Sequence, residues 1–277
     1  METSQTVVSA EWLHANLQDP NLVILDCRFM LGQPVSGRSN YEISHIPGAV
    51  YVDLEADLSG PKSKHGSRHP LPSVEAMTAL FSQLGIDDQT TVIAYDDQDL
   101  AMAARLWWML RYVGHSKVAV LEGGFAGWQK AGFPTTTEVT SRKPRDFKAH
   151  VQAEMLVTLD DVLSRDDQTV LIDSRARERY LGENETIDPK AGHIPGALNY
   201  FFKENLTTES TLLPTPELRK RFDQVVNAKE VMVYCGSGVT ACVNLLALHK
   251  IGRTDAKLYL GSWSDYSSYE LPVATKE

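Results

Sequence analysis

Short, unbroken apolar runs recur along the chain, among them Leu22-Val23-Ile24-Leu25, Thr91-Val92-Ile93-Ala94, Val170-Leu171-Ile172 and Val231-Met232-Val233-Tyr234. Runs that are apolar throughout, instead of alternating with polar residues, suit strands buried on both faces of a parallel sheet. Between them lie segments with apolar residues three and four apart. Ser73 to Leu84 (SVEAMTALFSQL) precedes Gly85, Leu100 to Val113 precedes Gly114, and Val239 to Ile251 precedes Gly252. Each reads as a helix stopped by a glycine. Strand and helix in alternation predict an α/β fold, with a mainly parallel sheet and helices on both faces.

The pattern occurs twice. Leu22 to Arg28 (LVILDCR) matches Thr169 to Arg175 (TVLIDSR), each an apolar run closed by Asp-x-Arg. His45-Ile46-Pro47-Gly48-Ala49 returns as His193-Ile194-Pro195-Gly196-Ala197, and Thr91 to Asp96 aligns with Glu230 to Cys235. A weaker match sets Leu121-Glu122-Gly123-Gly124-Phe125 against Leu258 to Trp263. Two domains of ordinary size are expected, 5–134 and 152–277, joined by an exposed, Thr-rich and charged linker at 135–151.

Composition narrows the function. The 277 residues are 43% apolar and 23% charged, with a formal net charge of -9. That balance argues against a nucleic-acid partner, which calls for a basic face. No apolar run approaches the ~20 residues of a membrane-spanning helix, and residues 1–10 lack the basic end and apolar stretch of a signal peptide. Three cysteines, Cys27, Cys235 and Cys242, are too few and too scattered for a disulfide framework or a four-ligand zinc site. A cytoplasmic location is the simplest expectation.

One cysteine has an unusual setting. The run Val231 to Tyr234 leads into Cys235-Gly236-Ser237-Gly238-Val239-Thr240 and then into an apolar helix. A thiol therefore stands at the carboxyl end of a strand, where α/β sites form. The two glycines let the backbone curl, so that amide N–H groups face inward as an anion nest at a helix N-terminus. Such a cradle favours a thiolate and would equally hold a persulfide anion. The first half has Asp96-Asp97-Gln98-Asp99 at this place, acidic and without a thiol, and is expected neither to cradle an anion nor to catalyse.

The whole chain resembles the two-domain rhodanese family. Each half carries the Asp-x-Arg strand end, the His-Ile-Pro-Gly-Ala segment and the closing aromatic/Gly segment of a rhodanese module. The Cys235–Thr240 loop is similar to that of the 3-mercaptopyruvate sulfurtransferases. The thiosulfate-preferring relatives place two cations in the loop, where this chain has Gly236 and Ser237. The resemblance implies an α/β fold of two rhodanese-like domains. It also implies a ping-pong transfer of a sulfane sulfur from a small-molecule donor, through a Cys235 persulfide, to cyanide or a thiol acceptor such as thioredoxin, with no cofactor and no metal. Gly236, Gly238, Val239 and Thr240 would line the anion. Arg179, in Asp173-Ser174-Arg175-Ala176-Arg177-Glu178-Arg179-Tyr180, would bind the donor's oxygens. A second arginine expected soon after it is missing from Glu183 to Lys190, with Lys190 as a substitute. Ser237, His69 from Gly66-Ser67-Arg68-His69-Pro70, and either Asp53 or Glu55 would relay a proton to the leaving enolate. Arg175, matched by Arg28, reads as a structural partner of Asp173, while Cys242, Trp107 and Trp108 read as core.

Three readings compete with the mercaptopyruvate donor. Thiosulfate is the rival donor. A cysteine-loop phosphatase needs Cys-x5-Arg, but the sixth residue after Cys235 is Ala241, so the clamp is missing. A sulfur-relay or binding module without turnover fits the first half alone.

Overall fold

The computed structural model describes residues 5–33 and 35–276. The chain forms two compact units. The first comprises residues up to Gly60, Leu71–Gln152 and Thr208–Thr211, and the second comprises Pro61–Pro70, Ala153–Thr207 and the chain from Leu212 onwards.

The first unit is built on the strands β1 (Val7–Val8), β2 (Leu22–Asp26), β3 (Ala49–Tyr51), β4 (Thr91–Tyr95) and β5 (Val118–Leu121). They form one sheet in the order β1-β5-β4-β2-β3, and every pairing is parallel. Leu22, Ile24, Ile93, Tyr95 and Ala119 point to one face and join a core with Tyr41, Leu13 and Trp128. Their neighbours Val23, Leu25, Val92 and Ala94 point the other way and are buried as well. Both faces are therefore covered, as the unbroken apolar runs require. The helices fall where the periodicity predicts. Val74–Gln83 is capped by Ser73, whose hydroxyl accepts from the Ala76 N–H. Ala101–Tyr112 runs along β4 and β5. Both stop at glycines in the left-handed region, Gly85 at φ +74° and Gly114 at +89°.

The second unit repeats this plan with β6 (Leu156–Val157), β7 (Thr169–Asp173), β8 (Leu198–Asn199), β9 (Glu230–Tyr234) and β10 (Lys257–Tyr259). The order is β6-β10-β9-β7-β8 and again all pairs are parallel. The chain leaves β7 towards β8 but leaves β9 towards β10. The carboxyl ends of β7 and β9 thus mark the place where the connections diverge, the crevice favoured for ligands in such sheets. Among the described residues no helix is long and apolar enough to cross a membrane.

Two boundaries depart from a cut at the linker. The stretch 135–151 is tied along the first unit by backbone bonds, with the Thr136 N–H on the His45 carbonyl at 2.9 Å and the His150 N–H on the Val113 carbonyl at 2.8 Å. Pro61–Pro70, which lies inside the sequence range of the first domain, belongs by its contacts to the second unit.

The expectation that the first half forms no anion cradle is corrected. The turn after β4 has one, and Asp96 fills it. The Asp96 carboxylate accepts the N–H groups of Gln98 at 2.9 Å, Leu100 at 3.1 Å, Met102 at 2.8 Å and Ala103 at 2.8 Å. The acidic residue that takes the cysteine's place is thus the anion of its own nest. Burial pushes the Asp96 carboxyl up to about 6 in spite of these donors. Because its folded value lies above the unfolded one, the folded state holds the extra proton, and Asp96 contributes less stability as pH rises from 4 to 6. The stability gap between wild type and Asp96→Leu should therefore narrow across that window, by at most about 3 kcal/mol. Urea unfolding at pH 4.5 and pH 7 measures it, and a gap that widens with pH would show that the amides outweigh burial.

Candidate active site

The site grows from the turn after β9. Cys235 follows Tyr234 directly and is 1% exposed. Its carbonyl accepts the Trp263 N–H at 2.9 Å, and the Gly236 carbonyl accepts the Ser264 N–H at 3.0 Å. The Ser237 carbonyl accepts from the Ser67 hydroxyl at 2.8 Å, and the Gly238 carbonyl from the Cys242 thiol at 3.5 Å. Four successive carbonyls are thus tied outward. Each peptide N–H points opposite to the carbonyl of its own plane, so these bonds fix the directions of the amides that follow. The Gly238 N–H reaches the Cys235 Sγ at 3.2 Å. Gly238 sits at φ +73°, and a Cβ there would lie 2.7 Å from the Leu260 carbonyl oxygen, so glycine is required by conformation and space together. Thr240 stands at the N-cap position of the helix Ala241–Lys250 without a side-chain capping bond, and Val239 is buried beside it.

Cys235 is also held from behind. Its N–H donates to the Ser262 hydroxyl at 3.2 Å, and that hydroxyl donates to the Tyr259 carbonyl at 3.0 Å. Ser262 adopts φ +57°, a left-handed conformation uncommon for a residue with a Cβ. The aligned position in the first unit is Gly124, at φ +55°. Where a cysteine must be fixed, the second unit accepts a strained serine in place of a glycine.

His69 meets the loop on its other side. Its Nδ1 lies 2.8 Å from the Ser237 Oγ, and the ring is buried, with 3% exposure. The segment carrying it is fixed by three bonds: the Ser67 hydroxyl on the Ser237 carbonyl, the His69 N–H on the Ser67 Oγ at 2.9 Å, and the Arg68 N–H on the Ser264 Oγ at 3.1 Å. Asp53 and Glu55 lie in the first unit. There the Asp53 carboxylate accepts from the Tyr51 hydroxyl at 3.0 Å and from the Glu55 and Ala56 N–H groups, organising the turn after β3.

Arg179 lies beside the loop, its Nη1 3.5 Å from where a Cβ on Gly236 would stand. Its Nε and Nη2 bind Glu185 at 2.9 to 3.0 Å, and Nη2 also binds Asp188 at 3.0 Å. Burial pushes the Glu185 carboxyl up, but the Asp188 and Ile187 N–H groups and the Arg179 guanidinium outweigh it and hold the carboxyl below its usual range. Glu185 is therefore a fixed anion at neutral pH. Lys190 is engaged elsewhere. Its ammonium is committed to the Tyr269 carbonyl at 2.7 Å and to Glu270 at 3.2 Å, so it serves the C-terminal segment. The cation that sequence reasoning missed is Arg68, paired with Asp188 and beside Gly236.

Arg175 is structural, as its duplication suggests. It grips Asp173 with Nε and Nη2 (2.7 Å for Nη2 to Oδ2), donates to the Gly192 carbonyl at 2.6 Å, and lies 4.6 Å over the Trp263 ring. Arg28 does the same with Asp26, the Ser44 carbonyl and the Phe125 ring. His45 and His193 are likewise matched, each bound through Nδ1 to a tyrosine carbonyl and stacked on that tyrosine's ring. Among the described residues no cluster suited to a metal ion occurs.

A rhodanese-like domain model matches residues 9–131 and 158–269. The chain is 41% identical over 281 residues to a probable 3-mercaptopyruvate sulfurtransferase of Pseudomonas aeruginosa, covering 99% of both. It is 35% identical over 277 residues to the thiosulfate sulfurtransferase of Mus musculus, covering 95% of this chain and 92% of that one. Among solved structures, the 3-mercaptopyruvate sulfotransferase SseA from Escherichia coli superposes with a TM-score of 0.83 at 36% identity, over 94% of this chain and 99% of that one. The chain belongs to the rhodanese family, with the domain present in two copies.

The strain at Ser262 can be separated from its hydrogen bond. Ser262→Ala keeps the strained conformation and leaves the buried Cys235 N–H without its acceptor, at a cost of about 1–3 kcal/mol. Ser262→Gly loses the same bond but relaxes the backbone, recovering about 1 kcal/mol. Urea midpoints should therefore place the alanine variant below the glycine variant; the reverse order would remove strain from the account.

Proposed function

We propose that the protein moves a sulfane sulfur from 3-mercaptopyruvate, through a Cys235 persulfide, to a thiol or cyanide acceptor. The observation that carries this reading is the Ser237–His69 hydrogen bond beside a thiol in an uncharged loop. The Cys235 thiolate attacks the donor sulfur and the carbon–sulfur bond breaks, leaving its electron pair in the enolate of pyruvate. The enolate takes a proton delivered through Ser237, which His69 orients and resupplies, and departs as pyruvate. The outer sulfur of the persulfide rests among the inward amides of the loop, which are aimed at charge as it develops. An acceptor thiolate or cyanide then attacks that outer sulfur and returns Cys235 to the thiolate. Splitting the transfer into two displacements is the logic of covalent catalysis. The cycle needs a compartment in which the thiol stays reduced, and the cytoplasm supplies one. Thioredoxin-like dithiols are acceptors of suitable chemistry.

The name of the murine relative keeps thiosulfate as the rival donor. A sulfite leaving group needs no proton, so the hydrogen-bonded Ser237 and His69 favour the enolate. Steady-state transfer to cyanide from each donor separates the two. A higher kcat/KM is expected with mercaptopyruvate, abolished in Cys235→Ser. Ser237→Ala and His69→Ala should each lower kcat with mercaptopyruvate by about 100-fold, yet change thiosulfate turnover by less than about threefold. Equal losses with both donors would remove the proton relay, and faster turnover of thiosulfate by the wild type would overturn the choice of donor.

A further inference from the structure

We infer that Arg68 is a donor-binding and specificity-determining residue, which together with Arg179 clamps the donor carboxylate over the bare face of Gly236. The inference rests on the proposed donor class and adds a residue outside the cysteine loop.

The geometry is that of two guanidiniums converging on one point. A carbon placed on Gly236 where a Cβ would stand lies 2.9 Å from the Arg68 Nη2, 3.5 Å from the Arg179 Nη1 and 3.8 Å from the Arg179 Nη2. That point adjoins Cys235 in the chain. The two arginines are held in register by a single carboxylate, because Asp188 Oδ2 accepts from the Arg179 Nη2 at 3.0 Å while Oδ1 accepts from the Arg68 Nη1. In each arginine other nitrogens carry the carboxylate bonds: Nη1 of Arg68, and Nε and Nη2 of Arg179. Arg68 Nη2 and Arg179 Nη1 are the nitrogens closest to the Gly236 face.

Placement and burial fit a binding role. Asp188 and Glu185 have side chains 2% exposed, whereas Arg68 and Arg179 are 27% and 20% exposed. The acids are thus buried struts, and the guanidiniums form the surface a solute meets. The Arg68 main chain is anchored by its N–H on the Ser264 Oγ, so its head starts from a fixed base. Two arginines balanced by two carboxylates carry no net charge, so the clamp offers directed N–H donors without surplus positive potential. That suits a monocarboxylate better than a compact dianion. Gly236 then has a steric purpose: any side chain there would fill the space the carboxylate needs.

The test compares two mercaptoketones that share the reacting atoms. 3-Mercaptopyruvate carries the carboxylate and mercaptoacetone carries a methyl group in its place. Arg68→Ala should raise KM for mercaptopyruvate by about 10- to 100-fold and leave kcat/KM for mercaptoacetone within about threefold, with Arg68→Lys in between. Equal losses on both donors would reduce Arg68 to a structural partner of Asp188 and overturn the inference. Calorimetric binding of 3-hydroxypyruvate, which has the carboxylate but no sulfur, separates this from the donor assignment. If the wild type turns over neither mercaptoketone yet binds hydroxypyruvate, and Arg68→Ala loses that binding, the clamp stands and the donor assignment falls. Unchanged hydroxypyruvate affinity in the variant overturns the clamp.

Discussion

The buried ion pair between Asp173 and Arg175 is the joint on which the second unit turns. Asp173 ends β7, and Arg175 grips it two residues later. The same guanidinium holds the Gly192 carbonyl, touches Glu185 at 3.4 Å and lies over Trp263. Each of these leads to the site. Glu185 holds Arg179, and the Trp263 backbone N–H fixes the Cys235 carbonyl. A charge buried this deeply is tolerable only because its partner is also fixed; removing one member of such a pair costs about 3–5 kcal/mol. The Asp-x-Arg motif is therefore an organiser of the strand end, and its appearance in both halves follows from that role.

The duplication supplies an internal comparison of the two loops. Both strands, β4 and β9, end in a turn where backbone N–H groups meet the first side chain, the Asp96 carboxylate in one and the Cys235 Sγ in the other. In the first unit the nest is closed by Asp96, whose carboxylate satisfies four amides. In the second unit a thiol stands there, and a persulfide would complete the same set. The supporting residue changes accordingly. Gly124 relaxes into the left-handed region, while Ser262 is forced into it and contributes a hydroxyl to the cysteine's N–H. The first unit keeps a permissive glycine, whereas the second uses a strained serine to fix the Cys235 backbone.

Much of this was legible in the sequence, for physical reasons that can be named. Unbroken apolar runs marked β2, β4, β7 and β9 because parallel strands are buried on both faces, and the glycines after Leu84 and Val113 marked helix ends through their positive φ. The Cys235 loop was legible because its glycines serve no other purpose. The cations beside Gly236 were half legible. Arg179 lies close to its partners in sequence, but Arg68 meets Asp188 across 120 positions, and no local pattern signals such a pair. Lys190 lay nearer in sequence, and the Tyr269 carbonyl and Glu270 take its charge. Ser262 had one available signal, its alignment with Gly124 in the repeat.

The division of labour around Cys235 suits a two-step transfer. A ping-pong nucleophile must receive sulfur from one molecule and surrender it to another, so groups specific to the donor should not be those that stabilise the persulfide. In the proposed transfer the Cys235 sulfur is met by backbone, the Gly238 N–H at 3.2 Å, a donor that any sulfur anion would use. In the proposed clamp, donor recognition lies outside that backbone, in Arg68 and Arg179 beside Gly236. The loop itself carries no charge, and the guanidiniums beside Gly236 are already balanced by Glu185 and Asp188. A cation within the loop would hold the persulfide anion more tightly and slow its delivery. On the proposed function, cations beside the loop would hold the donor while leaving the sulfur on Cys235 free to depart.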